Sequence, residues 1–168
     1  RHGLRPLIRW KEPPAGQHLE LGIGEASFFV FLSVLGLAPE LSGRRLLPIG
    51  TLYDCFLPRG LDPLLHATYS KARFILVASP SGISLAPEGG AHQSVLTPAL
   101  GIEVPNLLAY EPTFAREVEW LLLEALRVIQ DPVHGEAVYL RLSTKAVDQT
   151  LLQPVLDRLG EATLRAQA

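Results

Sequence analysis

The sequence predicts an α/β domain, a three-layer α/β/α sandwich around a mostly parallel sheet, and three features point to it. Strand-like apolar runs alternate with helix-like segments along the 168 residues. The run 74–78, Phe-Ile-Leu-Val-Ala, has no polar alternation, as expected of a strand covered on both faces in a parallel sheet. Phe114, Val118, Leu121, Leu122 and Ala125 recur at helical spacing.

Taken in order, residues 17–21 have strand-like length, and Gly22-Ile23-Gly24 breaks them before the apolar segment 26–37, which reads as strand, tight turn and buried helix. Residues 38–43 close that helix, and 45–51 form a second strand. A helix follows over 61–70, then the strand 74–78. The stretch 79–90, rich in Gly, Pro and Ser, is longer than a routine connection, and such loops are usually functional or mobile. Residues 106–109 make a short strand. Pro112 sits where a first helical turn tolerates it, and the following helix runs to Gln130. A turn over 131–135, a last strand over 137–142 and an amphipathic closing helix over 149–165 complete the chain. Residues 1–168 thus read as a single domain, and the absence of any methionine suggests a fragment of a larger multidomain protein.

Composition narrows the function. The net charge of -2 and 15 scattered basic residues leave no electrostatic footprint for nucleic acid or anionic lipid, so neither is an expected partner. No apolar run approaches the roughly 18 residues that span a bilayer. Cys55 is the lone cysteine, which excludes an intrachain disulfide and a Cys-rich zinc site and fits the cytoplasm. His2, His18, His66, His92 and His134 are scattered without metal-ligand spacing, so no metal site is expected.

Several residues could carry chemistry. Gly22-Ile23-Gly24-Glu25-Ala26-Ser27 imitates the start of a dinucleotide fingerprint, which keeps a Rossmann-like nucleotide binder as an alternative. Against it, Glu25 places a carboxylate where a phosphate's charge should sit. Glu25 alone would suit the positive end of a helix dipole, but between glycines and an apolar helix it is also set for proton sharing. The loop offers Ser79, Ser81, Ser84, Glu88 and His92, but no Gly-x-Ser-x-Gly elbow supports a serine hydrolase. Tyr53 and Phe56 could form a platform for a flat heterocycle or simply belong to the core. Asp54, Arg59 and Asp62 read as solvated charges or turn residues.

Four blocks in order carry a family resemblance: Gly16-Gln17-His18-Leu19-Glu20-Leu21-Gly22-Ile23-Gly24-Glu25-Ala26, Pro48-Ile49-Gly50-Thr51-Leu52-Tyr53-Asp54-Cys55-Phe56, the segment 81–94 with Glu88-Gly89-Gly90-Ala91-His92-Gln93, and Pro105-Asn106-Leu107-Leu108-Ala109-Tyr110-Glu111-Pro112. They resemble the pyrimidine-binding domain of the transketolase superfamily, most closely the homodimeric type of pyruvate dehydrogenase first component and transketolase-like relatives. The resemblance implies thiamine diphosphate as cofactor. It implies that Glu25 hydrogen-bonds the pyrimidine nitrogen and favours the imino tautomer that removes the thiazolium proton. It further implies that Phe56, or Tyr53 beside it, stacks on the pyrimidine, and that Glu88 and His92 face the substrate, a 2-oxo acid or ketose. The Gly-Asp-Gly string that begins the family's Mg²⁺ and diphosphate site is missing here. The resemblance therefore assigns that site to a separate domain, met across the cleft of a homodimer. Pairing with another domain without activity of its own is the other alternative.

Overall fold

The structure, a computed structural model, describes residues 13–166. His2 lies outside the described residues. In chain order the elements are α1 (Glu25–Gly36), α2 (Ala38–Ser42), β1 (Ile49–Leu52), α3 (Leu61–Tyr69), β2 (Ile75–Ala78), α4 (Leu100–Glu103), β3 (Leu107–Tyr110), α5 (Ala115–Val128), β4 (Ala137–Arg141), α6 (Gln153–Leu159) and α7 (Glu161–Arg165). The four strands form one sheet in the order β1-β2-β4-β3, and every pairing is parallel.

The two central strands bury both faces, which is why their sequences lack polar alternation. From β2 and β4, Leu76, Ala78, Ala137 and Tyr139 face a core shared with Phe29 and Leu32 of α1 and Leu64 and Ala67 of α3. Ile75, Val138 and Leu140 point the other way, onto Leu121, Ala125 and Ile129 at α5 and its end. A helical layer therefore covers each sheet face, giving the three-layer architecture. α5 owes its clean boundary to Glu117, whose carboxylate accepts the backbone amides of Thr113 and Phe114 and so satisfies donors that a helix start leaves free.

The segment 17–21, expected as a strand, belongs to no ladder. Leu19 and Leu21 stay exposed, so pairing it with the sheet would order the backbone with no apolar burial to offset the lost entropy. The closing helix expected over 149–165 is a 3₁₀ turn and two short helices, because Gly160 adopts φ 79° and breaks the run.

α1 crosses close to the 3₁₀ segment Asp54–Gly60 that follows β1. Gly60 makes this approach possible: a Cβ there would sit 2.4 Å from the Phe29 ring and 2.8 Å from the Glu25 carbonyl oxygen. Gly60→Ala should therefore overpack the contact and destabilise by about 1–3 kcal/mol. Thermal unfolding checks this, with a midpoint lowered by roughly 2–10 °C in a domain of this size. An unchanged midpoint would mean that α1 does not press on this turn.

Candidate functional site

β1 delivers the turn 53–60 at its carboxyl end and β2 delivers the loop 79–96 at the same edge, the edge where open parallel sheets bind ligands. The amino end of α1 completes the cleft, with Glu25 as its first residue. No side chain caps this helix end, and Gly24 takes the capping position.

Five side chains singled out from the sequence lie along one continuous chain of contacts, with Arg59 as the link. The Arg59 guanidinium approaches the Glu25 carboxylate at 3.6 Å and lies 4.1 Å over the Phe56 ring. Phe56 stacks with Tyr53, ring centroids 5.8 Å apart, and meets the His92 imidazole at 5.5 Å. His92 Nε2 in turn stands 3.9 Å from the Glu88 carboxylate. The turn between Glu88 and His92 needs glycine: Gly89 at φ 63°, ψ -176° and Gly90 at φ 53° occupy backbone regions that side chains disfavour.

The Glu25 side chain is 15% exposed, yet its closest polar partner at 3.6 Å is beyond hydrogen-bond distance, and no described residue donates a hydrogen bond to it. This leaves a mostly buried side chain, beside an aromatic turn, whose carboxylate takes no hydrogen bond from a described residue. The side chains of Glu88 and His92 are about half exposed and reachable by a small molecule. Arg59 was read from the sequence as a solvated or turn charge. Its place three residues after Phe56 in a helical turn, where i and i+3 share a face, was the available signal for its role here.

Asp54 is a clear correction. It was also read as a solvated or turn charge, but it is fully buried beneath the turn. Tyr139 donates its hydroxyl to Asp54 Oδ1 at 2.5 Å, Thr97 donates to Oδ2 at 2.7 Å, and Arg141 Nε donates to Oδ2 at 3.1 Å. Arg141 also pairs with Glu111 through Nη1. Burial, and then the hydrogen bond to Asp54, raise the Tyr139 phenol far above its ordinary pKa and keep it protonated.

The serine candidates do not form a nucleophile and base pair. Ser81 is buried, and Ser84 instead accepts the backbone amides of Thr144 and Lys145, tying the loop to the chain after β4. Neither hydrogen-bonds His92. The strand that a dinucleotide fingerprint requires before Gly22 is also missing, which removes the structural context of the Rossmann-like reading. Among the described residues no group of three His, Cys, Asp or Glu is placed to hold a metal ion, and no helix is long and apolar enough to cross a membrane.

No family profile matches the chain. Known proteins do. It is 28% identical over 134 residues to a pyruvate dehydrogenase E1 component of Corynebacterium glutamicum, covering 79% of this chain and 14% of that protein. It is 25% identical over 122 residues to the 1-deoxy-D-xylulose-5-phosphate synthase of Dechloromonas aromatica, covering 73% of this chain and 19% of that one. It is 23% identical over 136 residues to a 6-deoxy-6-sulfo-D-fructose transketolase subunit of a Clostridium species, covering 80% and 38%. The chain thus spans a minor part of the length of each relative. These relatives, the four ordered motifs and the all-parallel sheet fit the transketolase superfamily.

Proposed function

We propose that the chain is the pyrimidine-binding domain of a thiamine diphosphate-dependent enzyme of the 2-oxo acid dehydrogenase or transketolase type. The observation that carries the reading is the Glu25 side chain, mostly buried, whose carboxylate takes no hydrogen bond from a described residue and stands at the edge of the Tyr53–Phe56 turn. A weakly basic ring nitrogen is the kind of partner such a group accepts, because a shared proton satisfies both atoms in a water-poor cleft. Thiamine diphosphate, when bound, supplies the chemistry for breaking a carbon-carbon bond next to a carbonyl.

The chain's own residues then have separable tasks. Glu25 holds the proton at the pyrimidine nitrogen. Phe56, with Tyr53 stacked beside it, offers the flat surface, and the long, half-exposed Arg59 side chain can vacate the ring face. His92 donates or accepts a proton at a substrate oxygen, with Glu88 beside it. Nothing here is assigned to the diphosphate or to Mg²⁺, which we place on the diphosphate-binding domain of a partner subunit in a homodimer. The uncovered apolar face of α1 favours such a partner: Val30 and Val34 are about half exposed on a helix hydrophobic all round, and Ile23, just before the helix, is almost fully exposed. The substrate is a small 2-oxo acid or ketose, and the lone cysteine suits a cytoplasmic enzyme.

Affinity of the complete enzyme for thiamine diphosphate tests the platform. Stacking of a flat base on an aromatic side chain is worth about 1–3 kcal/mol, so Phe56→Ala should weaken binding by roughly tenfold to a hundredfold. Tyr53→Ala should have the smaller effect. Unchanged affinity in both variants would remove the platform from the proposal.

A further inference from the structure

The two limbs of the cleft are joined beneath it by a charge that touches neither Glu25 nor His92. Asp54 opens the turn that carries Phe56 and Arg59. Thr97, its hydrogen-bond donor at 2.7 Å, opens the 3₁₀ turn Thr97–Ala99, five residues beyond His92. Tyr139 and Arg141, two apart and so on the same face of β4, hold Asp54 from the sheet. The loop also rests on this network: at Gly82, with φ 47°, a Cβ would lie 3.1 Å from Arg141 Nη2.

We propose that Asp54 is a positioning group, fixing the aromatic turn and the Glu88–His92 loop at one spacing against the carboxyl end of β4. The physical argument is geometric. A buried carboxylate must be compensated on all sides, so its three donors are confined to one arrangement, and two short segments far apart in sequence inherit that arrangement. The loop 79–96 has no strand or long helix of its own to fix it, only short 3₁₀ turns. Preorganisation of this kind matters because a site displaced by about 1 Å can lose on the order of a hundredfold in rate. The cofactor part of the inference rests on the pyrimidine-binding reading above, but the anchoring part does not.

The test compares Thr97→Val, which keeps the shape and removes the hydroxyl, with Thr97→Ser, which keeps the hydroxyl, in the complete enzyme. Two quantities are read: amide hydrogen exchange in 53–60 and 86–96, and exchange of the thiazolium C2 proton at saturating thiamine diphosphate. Loss of the Thr97 hydroxyl, which donates to Asp54 and accepts from Arg141 Nε at 3.3 Å, should speed amide exchange in both segments at least about tenfold, with β2 and β4 still protected. It should slow C2 proton exchange by a similar factor, and Thr97→Ser should restore both. Tyr139→Phe, which removes a different donor to the same carboxylate, should act in the same direction and carries the test if Thr97→Val does not fold.

Unchanged amide exchange in both segments overturns the anchor. So does a loss that Thr97→Ser fails to restore. Glu25→Gln in the same assay keeps the two ideas apart. If it leaves C2 proton exchange at the wild-type rate, the cofactor reading fails while amide exchange still decides the anchor.

Discussion

Asp54→Ala should destabilise the domain by about 3–5 kcal/mol, the range for removing one partner of a buried ion pair. The size follows from what remains. Arg141 stays 6% exposed with Glu111 as its remaining carboxylate, and the hydroxyls of Tyr139 and Thr97 lose their acceptor. Each stranded donor adds its own desolvation penalty. In thermal unfolding this corresponds to a fall in midpoint of roughly 6–20 °C for a domain of this size. Asp54→Leu combined with Arg141→Leu should recover much of the loss, because an apolar pair leaves no uncompensated charge. A loss below about 1 kcal/mol for Asp54→Ala would place the carboxylate in contact with water and contradict its burial.

Glu25→Gln should lower turnover of the complete enzyme by a factor on the order of a hundred to ten thousand, the usual contribution of a positioned acid or base. Glutamine preserves shape and can still hydrogen-bond a ring nitrogen through its amide, but it cannot share a proton with it. Folding should be little changed, since the carboxylate's one close polar partner is Arg59 at 3.6 Å, and the Arg59 side chain is 55% exposed. An ion pair with one such partner contributes little to stability. A large drop in unfolding midpoint would instead assign Glu25 a structural role at the start of α1.

Much of the layer architecture was legible because it rests on local pattern. β2 and α5 each show the periodicity of the face they bury, and α1 is apolar enough to be recognised by composition. The strand expected at 17–21 fails for the complementary reason: a strand exists only through a partner, and five residues with an exposed Leu19 and Leu21 gain nothing from one. Tyr53, Phe56, Glu88, His92 and Glu25 are singled out by the order of their motifs, and the structure brings them, with Arg59, along one line of contact.

Asp54 was not legible. Nothing in Tyr53-Asp54-Cys55 signals burial, because the groups that make burial tolerable lie 43, 85 and 87 residues away. Arg59 was missed differently. Its link to Glu25 depends on the close crossing of α1 over Gly60, a packing fact that spacing alone does not contain. A charge in a turn is usually solvated: Arg59 stays 55% exposed even while it reaches Glu25, whereas tertiary contacts overrode that local expectation at Asp54.

The central claim is that Glu25 activates thiamine diphosphate, and the most direct measurement is the rate of exchange of the cofactor's thiazolium C2 proton with solvent deuterium. It is made on the complete enzyme at saturating cofactor, for wild type and Glu25→Gln, and it isolates activation from substrate binding and product release. The account predicts that exchange falls by at least about a hundredfold in Glu25→Gln while cofactor affinity stays within about tenfold, as expected for loss of a positioned acid or base. Exchange at the wild-type rate with full cofactor occupancy would contradict it.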